Sequence, residues 1–164
     1  KNYIFIREVS TDTSNYLSQE KNLVLQLAKS ISADTNVVLS LEDKSLREQF
    51  PKNWIILIEP ISDIHSLLYY SKLVISSGDS MAREGGMMGV PSVYLGNRDM
   101  PANRILIDHG ILKKMELKEL KDCFENDLDR MVDSANQDTV RMAFENEWDD
   151  VTQLILNLTE KLKK

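Results

Sequence analysis

The stretch "LVISSGDSMAREGGMMGVPSVYLG", residues 73–96, decides the fold. An apolar run ends in Ser76, Ser77, Gly78, Asp79 and Ser80. A helix-like segment carrying Gly85, Gly86 and Gly89 follows, and Pro91 restarts an apolar run. A glycine inside a helix costs about 1 kcal/mol against alanine, so three of them need a reason. Ala82, Gly85, Gly86 and Gly89 stand at i, i+3, i+4 and i+7 and share one helix face. A face without bulk predicts a helix over 80–88 packed closely on a sheet, with Gly89 suited to its C-terminal end and Pro91 just beyond.

The flanking sequence supplies that sheet. Strands are predicted at 3–9, 36–41, 53–59, 72–77 and 91–95. Between them, helices are predicted at 18–31 and 44–50, through 64–71 with Ser62 or Asp63 as cap, and at 101–111 ending at Gly110. Alternating strands and helices make a parallel sheet with right-handed crossovers. Strands apolar almost throughout imply that both faces are covered. The fold class is therefore α/β, a Rossmann-like parallel sheet with helices on both faces and a helical C-terminal end. In that end, one helix is expected at 114–130 and one long amphipathic helix at 137–163. The second carries Val140, Phe144, Trp148, Val151, Ile155, Leu158 and Leu162 at steps of three and four. This stripe is read as core, the alternative being a face docked on a neighbouring domain.

The 164 residues fit one domain, 42% hydrophobic with a net charge of −6. That charge excludes a general nucleic-acid binder. Residues 116–150 hold 12 Asp/Glu against 4 Lys/Arg, a net of −8, so the remainder is about +2. The acidic block reads as a solvated helical face. Cys123 is the single cysteine, so no internal disulfide forms, and its acidic helical setting marks it as structural. No apolar run is long enough to span a membrane. The chain enters "YIFIRE" almost at once from Lys1, with no Met and no signal peptide, and reads as a piece of a longer protein with the cytoplasm as its expected compartment.

The loop after the fourth strand lies where ligands bind in open α/β sheets, at the carboxyl ends of the strands. It runs into a helix N-terminus, whose free N–H groups and dipole favour an anion. Gly78 allows close approach or positive φ. Ser77 and Ser80 offer hydroxyls, and Glu84, one turn beyond Ser80, could accept bonds from ribose hydroxyls. A phosphate fits this chemistry, although strand–Gly-loop–helix units also occur without ligands, and Asp79 fits better as a helix cap than beside a phosphate.

At this point "EPISDIHSLLYYSKLVISSGDSMAREGGMMGVPSVYLGNRDMP" (59–101), and above all "MAREGGMMGVPS" (81–92), resembles a family. It is an uncharacterised prokaryotic family of GT-B-like proteins, named only as a domain of unknown function. More distantly the segment resembles UDP-N-acetylglucosamine 2-epimerases and the donor-binding half of GT-B glycosyltransferases. The resemblance implies the second Rossmann-like domain of a two-domain protein, with a UDP-sugar between the domains and catalysis dependent on the missing N-terminal domain, so that this half alone is inactive. It implies that Ser77, Gly78, Asp79 and Ser80 hold the diphosphate, that Glu84 meets the ribose, that Arg7 reaches the phosphates, and that Arg98 stands where the epimerases also carry an arginine. Arg83 replaces one acid of the epimerases' Glu-Glu pair, and their histidines after the first two strands have no counterpart here. Donor binding is thus better supported than epimerase chemistry. No covalent cofactor is implied, and Mg²⁺ beside a diphosphate is left undecided.

His65 is read as structural within an apolar helix and His109 as a C-terminal cap. With Cys123 they form no metal constellation. A non-catalytic nucleotide-binding or docking module of the same fold is the second reading. A receiver-like pocket, the third, would have only Glu42, Asp43 and Glu59 at the strand ends.

Overall fold

The computed structural model describes residues 3–12, 14, 16, 18–58, 60–132 and 137–162. Six parallel strands form one sheet in the order β3-β2-β1-β4-β5-β6. They are β1 (Ile4–Glu8), β2 (Val37–Leu41), β3 (Ile55–Ile56), β4 (Leu73–Ser76), β5 (Ser92–Tyr94) and β6 (Lys113–Lys114). β1 is central, with Ile4 beside both Val37 and Leu73. The strand order reverses between β1 and β4, and a crevice opens at such a point.

Alternation along the strands sorts the core into two faces. Ile4, Ile6, Leu39 and Ile75 point to one face, against Leu23, Val24 and Leu27 of α1 (Leu23–Leu27), Leu120 of α5 (Leu117–Asn126) and Met131 of α6 (Leu128–Val132). Phe5, Val38 and Val74 point to the other, against Leu68 of α2 (Ile64–Tyr69). Tyr94 packs on that side with Ala82 of α3 (Asp79–Met87) and Leu106 of α4 (Pro101–Asp108).

α3 lies on the sheet through its glycine face. A Cβ on Gly85 would stand 2.6 Å from Ser92 Oγ and 2.9 Å from Val74 Cγ2, and one on Gly86 would stand 2.8 Å from the Ile111 carbonyl oxygen. Gly89 follows the helix at φ 71°, the left-handed conformation expected of a residue just past a C-cap.

Other expectations need correction. The helix foreseen over 18–31 is only α1 and a 3₁₀ turn at Ala28–Ser30, because Asn22 turns left-handed at φ 58° just before it. Residues 44–50 form a 3₁₀ turn, Lys44–Gln49, whose first N–H groups are met by the Asp43 carboxylate at Ser45 N, 2.9 Å. Asp63, rather than Ser62, caps α2 by accepting from Ser66 N at 3.0 Å. The 114–130 helix is interrupted at Asp127, whose φ of −155° is not helical, and its first residue belongs to β6.

The long C-terminal helix is two, α7 (Gln137–Glu147) and α8 (Val151–Leu162). Phe144 of α7 packs against Tyr94, Leu106 and neighbours, and Trp148 stacks edge-on against Phe144 at 4.8 Å. α8 buries nothing. Five of the seven residues of the stripe foreseen as core, Trp148 and the four on α8, are therefore solvent-facing. Among the described residues no helix is long and apolar enough to cross a membrane.

Candidate functional site

β1, β4 and β5 end together at the reversal point, and the α3 N-terminus begins there. Ser77, Gly78 and Asp79 are buried and Ser80 is exposed. Gly78 has φ −102°, so close approach rather than positive φ explains it. The approaching group is the chain itself. A Cβ at Gly78 would lie 2.5 Å from Val9 Cγ1 and 3.4 Å from the Tyr16 hydroxyl. The Gln19 amide donates to the Ser77 carbonyl at 2.9 Å, and the Ser77 hydroxyl accepts from Val9 N at 2.9 Å. The segment after β1 covers the first part of the loop.

Asp79 is the first helical residue, not a cap, since Gly78 takes the N-cap position without a side-chain bond. Its carboxylate is 1% exposed and fully engaged. Arg83 Nη1 donates to Oδ2 at 2.7 Å, the Tyr16 hydroxyl donates to Oδ1 at 2.9 Å, and Arg98 Nη1 stands 3.6 Å from Oδ1. Burial alone would raise this carboxyl. The bonds from Arg83 and Tyr16 and the charges of Arg83 and Arg98 outweigh it, so the carboxyl lies below its ordinary value. Arg83 Nη1 also donates to Asn103 Oδ1 at 2.8 Å, while the buried Asn103 Nδ2 has no partner in the structure. Arg98 N donates to the Tyr94 hydroxyl at 3.0 Å, and burial pushes that phenol up to about 12. One carboxylate and two guanidiniums leave a net charge of +1 at the positive end of a helix dipole.

Glu84 and His65 meet across α3 and α2, with His65 Nε2 3.2 Å from Glu84 Oε2 and both side chains largely exposed. His65 is thus on the outer face of its helix, not among apolar neighbours. Arg7 turns toward β2, where its guanidinium bonds to Ser40 Oγ and to Glu42. Glu42 in turn accepts from Ser10 N at 2.8 Å. The structure therefore brings Ser80, Asp79 and Arg98 together, sets Glu84 one turn along, and leaves Arg7 engaged elsewhere on the carboxyl edge. Of the receiver-like acids, Glu42 pairs with Arg7, Asp43 caps a turn, and Glu59 lies outside the described residues. His109 is the C-cap of α4 as expected.

Glu8 is a site residue that sequence reasoning missed. It ends β1, 1% exposed. One oxygen accepts from Val24 N at 2.6 Å, and the other has no partner in the structure. Burial drives this carboxyl up to about 7, against bonds from Val24, Ser77 and Leu25 that lower it. A lone acid closing an apolar strand was the available signal. Tyr16, Gln19 and Asn103 carried none.

Clefts also lie away from this loop. One of about 520 Å³ runs between β6 and α5 past Cys123, whose thiol is raised by burial and by Glu119 and Asp127, as suits an inert thiol. Among the described residues no group of three His, Cys, Asp or Glu could hold a metal ion.

A family model described as "Protein of unknown function (DUF354)" matches residues 2–163. Among solved structures, the chain is similar to the spinosyn forosaminyltransferase SpnP at 20% identity and a TM-score of 0.68, over 100% of this chain and 44% of that one. It is similar to Anabaena Alr3699/HepE, solved in complex with UDP, at 14% identity and 0.67, over 99% and 49%. It is similar to the UDP-GlcNAc 2-epimerase of Methanocaldococcus jannaschii at 15% and 0.59, over 88% and 45%. At these identities the likeness establishes the Rossmann-like fold of GT-B proteins. The chain spans less than half the length of each of these three. No curated protein sequence matches it.

Proposed function

Because the chain belongs to the DUF354 family, whose description assigns no activity, its role must come from the site, and we propose that it is the nucleotide-sugar-binding half of a GT-B-type glycosyltransferase or epimerase-like protein, taking a UDP-sugar. The carrying observation is the net +1 cluster of Asp79, Arg83 and Arg98 at the α3 N-terminus, beside the exposed Ser80 hydroxyl and at the strand reversal. An anion placed there meets helix N–H groups, a positive dipole end and an excess guanidinium. The diphosphate lies at Ser80 and Arg98, with Ser77, Gly78 and Asp79 shaping the loop from beneath. Glu84 accepts from the ribose. Arg7 reaches the phosphates only by leaving Glu42.

On this reading the reacting sugar faces a second domain, and the 164 residues alone are inactive. The work is assigned to the cytoplasm, which fractionation of cells carrying the tagged parent protein would test. Mg²⁺ enters only with the diphosphate, since among the described residues no carboxylate cluster is built for it.

A non-catalytic nucleotide-binding or docking module is the second reading. The Asp79 carboxylate favours it, because its charge already offsets one of the two guanidiniums at the helix terminus.

The test is a titration with UDP, UDP-N-acetylglucosamine, GDP and ADP, by thermal shift and then calorimetry. UDP-selective binding that Ser80→Asp abolishes supports the reading. Gly78→Val is the second variant, although its side chain meets Val9 and its folding must be checked first. Failure of every nucleotide to bind at millimolar concentration, in the chain and in its full-length parent, overturns it.

A further inference from the structure

We infer that Glu8 is a proton-linked control of anion affinity at the α3 N-terminus, its ionised form weakening the site and its protonated form restoring it. This rests on the reading that places the diphosphate at Ser80 and Arg98. Ser77, which opens the loop, is bonded to the residues on both sides of Glu8. Its N–H donates to the Arg7 carbonyl at 3.0 Å, and its hydroxyl accepts from Val9 N at 2.9 Å. Ser80 follows three residues later, a reach of about 10 Å at most. The carboxyl itself is built to hold a proton. It is 1% exposed, one oxygen accepts from Val24 N at 2.6 Å, and the other has no partner in the structure. A buried carboxylate oxygen without a donor is costly when charged. Burial pushes the group up to about 7, so its charge changes near neutrality.

Among the described residues no charged neighbour fixes its state, since burial and hydrogen bonds are the causes that move it. α1 carries no charge from Leu23 to Leu27, and Lys21 before it faces Asp12 at 3.4 Å. Arg7 and Glu42 pair with each other across β1 and the end of β2. On α3, Asp79 is taken by Arg83 and Arg98. On α5 and α6, Lys118, Glu119, Asp122, Glu125 and Asp129 are exposed and Lys121 is half-buried. The charge sum then gives the effect. Asp79, Arg83 and Arg98 leave +1 at the helix end, and an ionised Glu8 brings it to zero. Unit charges about 10 Å apart, at an effective dielectric of about 20, change an equilibrium constant roughly tenfold. By reciprocity a bound anion shifts the proton equilibrium of Glu8 by the same factor, so binding takes up a proton.

The experiment is calorimetric titration of the full-length parent with UDP-N-acetylglucosamine at pH 6 and pH 8, and at pH 7.5 in two buffers of different ionisation enthalpy. This probe has no terminal phosphate to gain a proton in that range, so any uptake belongs to the protein. About fivefold tighter binding at pH 6 than at pH 8 is expected, with roughly half a proton taken up at pH 7.5. Glu8→Gln binds alike at both pH values and takes up none. His65→Gln, which removes the imidazole beside Glu84, retains the uptake. Carboxyl-carbon NMR of Glu8 in the unmutated protein reads the same link without a variant, its titration moving to higher pH with the probe bound. Equal affinity at pH 6 and pH 8, an unmoved Glu8 titration, or an uptake that persists in Glu8→Gln overturns this proposal and leaves the donor reading standing. Absence of binding at either pH overturns both.

Discussion

Arg98 and Asp79 stand 3.6 Å apart at the start of α3, one partly exposed and the other buried. Asp79 therefore both holds the guanidiniums in place and neutralises part of their charge. Asp79→Asn separates these effects. It removes a charge that Arg83 and Arg98 share, which costs about 1–3 kcal/mol of stability. It also raises the cluster from +1 to +2, so UDP binds more tightly. Opposite signs in a melting curve and a calorimetric titration are the expected outcome; weaker UDP binding would remove the phosphate from this helix end. The Asp79 carboxyl is lowered, so the wild-type contribution is present above 3.8 and fades as acidification passes the lowered value.

Glu8 gives the reverse pH dependence. Its carboxyl is pushed up from 4.5 to about 7 by burial. The folded chain then holds a proton that the unfolded chain has lost between those values. Stability is full below 4.5 and falls on the order of 3 kcal/mol as pH rises to about 7. Glu8→Gln flattens that slope and stabilises the protein at pH 8. Urea denaturation at pH 5 and pH 8 reads both.

Gly86→Ala sets propensity against space. Alanine gains about 1 kcal/mol in a helix. Its Cβ would lie 2.8 Å from the Ile111 carbonyl oxygen, a backbone atom leading into β6. Overpacking costs about 1–3 kcal/mol, so space wins and the melting temperature falls by several degrees. A rise would mean that α3 can lift from the sheet.

Glu84→Ala addresses the ribose. The Glu84–His65 pair is exposed and contributes little to stability, so the melting temperature stays unchanged. If Glu84 accepts from ribose hydroxyls, UDP binds roughly tenfold more weakly and the preference for UDP over 2′-deoxy-UDP disappears. Retained preference in the variant would place the ribose elsewhere.

The sheet was legible because its physics is local. Apolar runs bounded by polar turns marked β1, β2 and β4, and the glycine face of α3 announced a close helix–sheet contact. Two-residue β6 was not legible, since "KK" has no strand pattern and pairs only because α4 delivers it to β5. α8 was misread because 3.6 periodicity reports that a face is apolar, not that anything in this chain covers it. At the site, the α3 terminus followed from sequence order, and Arg98 only from the resemblance to the epimerases. The cover over Gly78 did not: Tyr16 lies 63 residues from Asp79 and Gln19 58 from Ser77, and no local signal joins them. The pairing of Arg7 was not legible either, because a strand residue's reach depends on which adjacent strand offers an acid, and here Glu42 does.

The central place of β1 bears on how the protein is made. Of the strands of this sheet it is the first to leave the ribosome, yet its partners are β2, 33 residues later, and β4, 69 residues later. Until Ser76 has emerged, at least one edge of a strand that opens Ile4-Phe5-Ile6 is unpaired, a template for aggregation. Parallel pairings of this separation also form slowly. A nascent chain stalled between Leu41 and Leu73 would thus be the species that most needs a chaperone, and folding starts in earnest only when the strand of the opening stretch has arrived.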